Sequence, residues 1–227
     1  MQDRENQKNI LEDFFSNQEV LSSSVPLFSC NKELEIESEQ RGEKSIRTYL
    51  RRSDQMINLV SNELGKVIED FKAKSNRYEG VIYMMFKKDK SQGIVPLYIG
   101  KAEKYGKSDN LSENISKGKG KFGRWGHGYA YHIGDLSAVV YDHKDANQPK
   151  KYKDWAKSMF ESYPASSGSK LVLKEPIYLW MKAWERDSIG LWKDFGSTTL
   201  TFLEYQLIGV STAVYPDSVL NKEGQNR

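Results

Sequence analysis

The sequence predicts an α+β fold, an α/β sandwich with a small central antiparallel sheet of three strands that is flanked by helices. Two short apolar runs, residues 80–86 and 96–101, lie on either side of a charged turn that contains glycine, and this pattern predicts a β-hairpin. A further run at residues 177–184 is rich in aromatic and β-branched side chains and predicts the third strand. Apolar residues at three- and four-residue steps predict helices before and after the hairpin.

The N-terminal third predicts mainly helical structure. Residues 10–15 have the apolar spacing of a helix, and residues 22–26 then interrupt it. Residues 43–74 carry apolar side chains at three- and four-residue steps, which predicts one long amphipathic helix or two helices with a kink. We expect its apolar stripe to pack on the rest of the protein. A second role, which that packing does not exclude, is contact with a phosphate backbone through Arg47, Arg51 and Arg52.

Composition narrows the class of protein. Of the 227 residues, 29% are charged and 38% are hydrophobic, a mixture that is usual for globular domains. No run reaches the roughly 18 apolar residues of a membrane span, and the N-terminus lacks the basic and then apolar profile of a signal peptide. We therefore expect a cytoplasmic protein that binds no membrane. Cys30 is the only cysteine, which excludes an internal disulfide and a zinc site built from cysteines.

The basic excess is concentrated around the predicted hairpin. Residues 1–79 contain 12 Lys and Arg against 15 Asp and Glu, residues 80–127 contain 10 against 4, and residues 128–227 contain 12 against 12. A local positive field favours a polyanionic partner. Nucleic acid is favoured over a membrane surface, because no basic amphipathic helix accompanies the charge.

Two tyrosines and a lysine give the hairpin its candidate chemistry. Successive side chains alternate between the two faces of a strand, so Tyr83 and Tyr98 on adjacent strands can converge on one pocket. Gly100 removes a side chain where a backbone or a phosphate comes close, and Lys101 adds a long cation directly after it. The alternative is that both tyrosines are ordinary half-buried strand residues.

The spelling of this hairpin resembles the GIY-YIG nucleases, a family that includes homing endonucleases, some restriction enzymes and the incision nuclease of excision repair. Tyr83 matches the tyrosine of the first motif, with Val81 at the usual glycine position and Gly80 one residue earlier. Residues 97–102, Leu-Tyr-Ile-Gly-Lys-Ala, match a typical spelling of the second motif.

The resemblance also divides the chain. It covers roughly residues 79–221, which implies a nuclease-like domain at 79–227 that follows a mainly helical extension at 1–78. Residues 103–123 are rich in glycine, serine and lysine and predict a basic insertion in that domain. We interpret the insertion as a loop that contacts a nucleic-acid backbone, with a merely solvated loop as the alternative. The lysines concerned are Lys117, Lys119 and Lys121.

An arginine and two histidines follow the insertion. In the family, the helix after the second strand carries an arginine that holds the phosphate, with a histidine or tyrosine one turn later. Arg124 matches this arginine, and Gly128 occupies the position of its partner. His127 and His132 both return close to the face of the arginine if the segment is helical. His132 is preferred, because the glycines next to His127 make a poor first turn.

Two further elements are predicted between this segment and the third strand. Residues 136–141 suit either a strand or the end of a helix. Residues 149–163 suit a helix that buries Trp155 and Met159 and offers no chemistry of its own.

The last predicted helix carries the implied metal ligand. Thr201 and Glu204 fit the capping pattern Ser/Thr-x-x-Glu, so one interpretation of Glu204 is a helix cap. The family places its metal-binding glutamate on the helix after the third strand, which implies that Glu204 binds a divalent metal. Asn221 resembles an asparagine that supports the site in the family.

The activity that the resemblance implies is hydrolysis of a DNA phosphodiester with one divalent metal, Mg²⁺ with Mn²⁺ as a substitute. Glu204 holds the metal in this scheme, and Tyr83 takes the proton from the attacking water while Tyr98 positions it. The other implied residues clamp the phosphate or orient the water: Lys101, Arg124, His132 and His127.

Two function classes follow from the sequence. The first is an endonuclease of restriction or anti-phage defence, with DNA as its substrate and a homodimer or a defence-system partner protein as its assembly. The second is a non-catalytic nucleic-acid-binding or partner-docking subunit on the same fold.

Overall fold

The computed structural model describes residues 2–42, 46–116, 132–144, 148–165 and 170–224. The helices are α1 (Gln2–Asn17), α2 (Val20–Ser23), α3 (Asp54–Lys72), α4 (Glu113–Ser116), α5 (His132–Val140), α6 (Lys150–Met159) and α7 (Leu200–Val214). The strands are β1 (Val25–Pro26), β2 (Ser38–Arg41), β3 (Arg47–Leu50), β4 (Tyr78–Lys88), β5 (Ile94–Glu103) and β6 (Tyr178–Glu185). The α+β class predicted from the sequence is confirmed.

The main sheet has four antiparallel strands in the order β1-β6-β4-β5. The three predicted strands are β4, β5 and β6, and the short β1 extends the sheet by pairing with the start of β6. In the hairpin, Tyr83 lies opposite Gly100 and Met85 lies opposite Tyr98. The register then shifts between Met85 and Phe86. Strand β5 is consequently an edge strand of the sheet.

Strand β3 replaces the first part of the helix predicted at residues 43–74. Helix α3 begins only at Asp54, because Ser53 has an extended backbone and its hydroxyl accepts a hydrogen bond from the backbone N–H of Met56 at 2.9 Å. Residues 47–50 instead pair with β2 in a separate two-stranded sheet. The prediction was wrong there because Tyr49 and Leu50, which suit either pattern, are buried from a strand.

The arginines of this segment contribute to the structure. Arg52 is 4% exposed, so it cannot line a phosphate backbone. Arg51 forms an ion pair with Glu37. The packing role expected for helix α3 is the one observed, since eight of its residues are buried.

Each face of the main sheet carries a hydrophobic core. Val81, Tyr83 and Met85 of β4 pack with helices α3, α5 and α6, while Ile82 and Met84 pack on the other face with α1 and α7. The N-terminal third therefore contributes one helix to each core: α3 packs on the first face and α1 on the second. Glu63 of α3 also accepts a hydrogen bond from the backbone N–H of Ala183 in β6 at 2.7 Å. None of the described helices is both long and apolar enough to cross a membrane.

A buried ion pair joins the end of α3 to the end of the hairpin. Lys104 Nζ lies 2.6 Å from a carboxylate oxygen of Asp70, and the Lys104 side chain is fully buried. Asp70 also accepts hydrogen bonds from Ser75 and from the backbone N–H groups of Arg77 and Tyr78. Burial alone would raise the pKa of Asp70, but these hydrogen bonds lower it to about 2.

Candidate active site

The two hairpin tyrosines lie side by side on the α5 and α6 face of the sheet. Their ring centroids are 6.2 Å apart, and Tyr83 is 6% exposed. Tyr83 forms a side-chain hydrogen bond with Tyr98 that lowers the pKa of Tyr98, while burial first and the nearby Glu204 carboxylate raise it, to about 12 in all. Tyr98 is therefore a neutral phenol at physiological pH.

Two glycines of the hairpin stand where a side chain would not fit. A Cβ atom added to Gly100 would lie 2.4 Å from Tyr83 Oη, so the ring of Tyr83 occupies the space of the absent side chain. Gly80 has φ +153°, and a Cβ there would lie 2.1 Å from the carbonyl oxygen of Ala102. Both the backbone conformation and the close contact therefore require a glycine at position 80.

The edge of β5 is closed by the last helix and the segment that follows it. Asn221 accepts a hydrogen bond from the backbone N–H of Ile99 at 2.9 Å and donates one to the carbonyl of the same residue at 2.8 Å. The N–H of Leu220 donates to the carbonyl of Leu97 at 2.7 Å. The Glu204 carboxylate accepts a hydrogen bond from the backbone N–H of Lys101. Asn221 and Glu204 therefore meet the hairpin at adjacent points.

Glu204 does not cap its helix. Helix α7 begins at Leu200, and its N-cap is Thr199, whose hydroxyl accepts a hydrogen bond from the N–H of Phe202 at 3.4 Å. The capping interpretation of Thr201 and Glu204 was wrong because the helix starts earlier than the pattern indicated. Thr201 instead donates a hydrogen bond to Glu103 at 2.9 Å.

Glu204 lines a cavity of about 200 Å³ at this edge of the sheet. The cavity lies where β5, α6, α7 and the C-terminal segment meet; its lining residues are Tyr98, Lys151, Glu204, Tyr205, Ile208, Asn221, Lys222 and Glu223. Burial is the main cause that raises the pKa of Glu204, and the charge and backbone N–H of Lys101 oppose it. Glu103 and Glu223 raise this pKa further, so a partly desolvated carboxylate faces the cavity among other negative charges.

Lys101 lies on the opposite face of β5 from the tyrosines. Residues 98 and 100 share the face of Tyr83, and alternation along the strand places Lys101 on the α7 side with Ile99. There its ammonium donates a hydrogen bond to the Glu103 carboxylate. Lys101 thus acts on Glu204 through its charge and its backbone.

Lys151 is a residue of this cavity that the sequence did not indicate. Its Nζ atom lies 3.3 Å from Tyr98 Oη, and it also lies over the rings of Tyr98, Tyr152 and Trp155 at 4.7, 5.5 and 5.4 Å from their centroids. Burial lowers the pKa of Lys151, with Glu223 and Asp135 opposing that effect. The only signal in the sequence was its place at the start of the helix predicted at 149–163, a helix to which no chemistry was assigned.

Several predicted site residues lie outside the described residues. They are Arg124, His127, Lys117, Lys119 and Lys121. His132 is the first residue of α5, without a described side-chain position. Residues 136–141, left open between strand and helix, form the second half of α5 and the turn after it.

The donor atoms at this site fit a metal that takes few protein ligands. Within the described ranges, no group of three or more His, Cys, Asp and Glu side chains is arranged to hold a metal. Two carboxylates line the cavity, the half-buried Glu204 and the exposed Glu223. Mg²⁺ typically keeps several waters and binds one or two carboxylates together with substrate phosphates, so these donors suit it.

Comparison with known proteins leaves the family of the chain open. No family model, no curated protein and no solved structure matches it.

Proposed function

We propose that this protein is a divalent-metal-dependent endonuclease that hydrolyses phosphodiester bonds in DNA at the cavity beside β5. The observation that carries the proposal is the meeting of Glu204, Asn221 and Tyr98 at one edge of the hairpin, with Tyr83 hydrogen-bonded to Tyr98. These residues come from three separate parts of the chain. They correspond to the carboxylate, amide and phenols that the resemblance to GIY-YIG nucleases assigns to one site.

Glu204 would hold the metal ion in this mechanism. A Mg²⁺ or Mn²⁺ ion held there would supply positive charge that stabilises the negative charge developing at the phosphate and on the leaving oxygen. The carboxylate is fixed by the backbone N–H of Lys101, and Lys101 adds a positive charge beside it. Its burial strengthens its interaction with a cation, because less water competes for it.

Tyr83 is the proposed general base and would act as its phenolate. Tyr98, whose pKa is about 12, keeps its proton and would then donate the hydrogen bond that positions that phenolate. Tyr83 then accepts the proton of the attacking water. The buried position of Tyr83 against Gly100 fixes the phenol during this transfer. Arg124 and His132 or His127 remain proposed to clamp the phosphate and orient the water.

The second candidate function is a non-catalytic nucleic-acid-binding or partner-docking subunit. One observation favours it: the ammonium of Lys101 is paired with Glu103 on the face away from the tyrosines, where it does not clamp a phosphate next to them. In either case DNA is the proposed partner. Restriction or anti-phage defence in the cytoplasm is the proposed setting, with a homodimer or a defence-system protein as the proposed assembly.

The decisive experiment incubates the purified protein with plasmid, unmodified phage DNA and modified phage DNA, in Mg²⁺ and then in chelator. Metal-dependent nicks support the endonuclease, and a gel shift without nicks supports the binding subunit. We expect Glu204→Gln and Tyr83→Phe each to lower the cleavage rate by about 10²- to 10⁴-fold and to leave DNA binding in place, because each removes a group that acts on the reacting atoms.

Two matched variants control this experiment. Glu69→Gln removes an exposed carboxylate from α3, and Tyr105→Phe removes the hydroxyl of a tyrosine outside the cavity. Both should cleave like the wild type. An unchanged cleavage rate in Glu204→Gln or Tyr83→Phe would refute the role assigned to that residue.

A further inference from the structure

Lys151 carries a half-buried ammonium group that, in the described part of the chain, meets aromatic rings and a phenol in place of a carboxylate. The side chain is half-buried at the start of α6, between the rings of Tyr98, Tyr152 and Trp155. Among the residues that the structure describes, no carboxylate forms an ion pair with it. An ammonium removed from water is unfavourable unless an anion compensates it.

The charges nearest to Lys151 leave that compensation incomplete. Glu223 and Asp135 raise the pKa of Lys151, although neither forms an ion pair with it. Burial raises the pKa of Asp135 to about 6, so this carboxylate is itself only weakly stabilised as an anion. Lys222 adds a second positive charge, and its own ion pair is with Asp154 at 2.6 Å.

The cavity is lined by charged side chains of both signs. Lys151 and Glu204 both line it, together with Tyr98, and its volume is about 200 Å³. One liquid water takes about 30 Å³, so the cavity has room for a phosphate group and several waters. A phosphodiester brings negative oxygens that suit the Lys151 ammonium, while the Glu204 carboxylate suits a cation.

We propose that Lys151 forms a phosphate-binding subsite, in which its ammonium binds a non-bridging oxygen of the DNA phosphate that enters the cavity beside Glu204. This inference rests on the proposed nuclease function. It identifies Lys151 as the positively charged residue of the nuclease site on the sheet face that carries the tyrosines. Lys101, the cation indicated by the hairpin motif, is turned to the other face and paired with Glu103. The Lys151 ammonium lies over three aromatic rings and 3.3 Å from Tyr98 Oη, so it is held in place before the phosphate arrives.

The test compares Lys151→Met with Lys151→Arg and with a matched control, Lys153→Met. Lys153 is exposed on the same helix, so its replacement removes the same charge from outside the cavity. Binding of a short fluorescent DNA duplex is measured by anisotropy in chelator, over a series of salt concentrations. We expect Lys151→Met to weaken binding about tenfold or more and to reduce the salt slope by about one, as loss of one charged phosphate contact does. Lys151→Arg should retain most of the affinity, and Lys153→Met should change neither quantity.

The outcomes separate this inference from the function on which it rests. If Lys151→Met binds DNA with unchanged affinity and salt slope, the subsite is wrong, whether or not the wild type cleaves. If the wild type binds DNA through Lys151 and never cleaves it, the nuclease proposal fails and the subsite stands. A second measurement needs no variant: DNA should protect Lys151 of the wild type from reductive methylation, with Lys153 as the internal reference in the mass spectrum. Equal modification of Lys151 with and without DNA overturns the proposal.

Discussion

The ring of Tyr83 lies over Gly100 on the neighbouring strand, where a Cβ atom would come within 2.4 Å of the tyrosine hydroxyl. The sequence predicted that a backbone or a phosphate approaches this glycine. The group that approaches it is the phenol itself, which the bare backbone allows to lie flat against β5 and beside Tyr98. Gly100 thus helps to position Tyr83.

We expect Gly100→Ala to displace Tyr83. Overpacking of a buried site typically costs about 1–3 kcal/mol, so the free energy of unfolding should fall by that amount, and cleavage should fall with it because the phenol moves. Urea denaturation followed by circular dichroism measures the first effect. Gly209→Ala in α7 is the control, since the nearest atom to its added Cβ lies 3.9 Å away. That change should stabilise the protein by about 0.5–1 kcal/mol through helix propensity. A Gly100→Ala variant with the stability and activity of the wild type would contradict the packing described here.

Asp70→Asn should be the costliest of the conservative polar changes. It leaves Lys104 fully buried without its carboxylate, and breaking one side of a buried pair costs about 3–5 kcal/mol. Glu185→Gln is its control, because the pair of Glu185 with Arg77 is exposed and such pairs contribute about 0–1 kcal/mol.

The pH dependence of unfolding tests the same pair. The pKa of Asp70 is lowered in the fold from 3.8 to about 2, so the unfolded chain binds the proton more tightly. The stability that Asp70 contributes is present above the unfolded value and is lost as the pH falls from 3.8 towards 2. The free energy of unfolding of Asp70→Asn should lack this part of the decrease at low pH. An acid profile identical to that of the wild type would exclude the pair as its source.

Metal ions should stabilise the wild type through Glu204. Burial raises the pKa of this carboxylate above its ordinary value of 4.5, so the folded state loses stability as the pH rises from the unfolded pKa through the folded pKa. Mg²⁺ at about ten times its Kd should therefore add about 1.4 kcal/mol to the free energy of unfolding, which raises Tm by a few degrees. Glu204→Gln should be more stable than the wild type in chelator and should not respond to Mg²⁺. A thermal melt at pH 7.5 with and without MgCl₂ checks this, and an equal response in both proteins would count against Glu204 as the ligand.

The elements that depend on local pattern were predictable. The hairpin, the third strand and the buried side of α6 follow from two- and four-residue periodicities that the structure retains. The helix at 43–74 was predicted too long because Tyr49 and Leu50 also suit a strand, which is where the structure buries them. Ser53 sets the true start of α3 through a single hydrogen bond, which no periodicity reports.

The candidate site was only partly predictable for a different reason. The tyrosines, Glu204 and Asn221 each lie in a short sequence motif that can be recognised without knowledge of the fold. Lys151 lies in no recognisable motif. Its role depends on the packing of α6 beside β5, which brings it into contact with Tyr98, a residue 53 positions away in the sequence. The buried pair of Asp70 with Lys104 likewise spans 34 residues and arises only from tertiary packing.

The contacts of Asn221 and Leu220 with β5 have a consequence for how the protein behaves at high concentration. An edge strand offers a row of free N–H and C=O groups to which a second chain can add a strand, and this is a common route to aggregation. Here the side-chain amide of Asn221 and the backbone of Leu220 use those groups at Ile99 and Leu97. The segment with Leu220 and Asn221 thus covers this part of the sheet edge, and Asn221, which also lines the cavity, leaves Ile99 no backbone group there for a second chain to pair with.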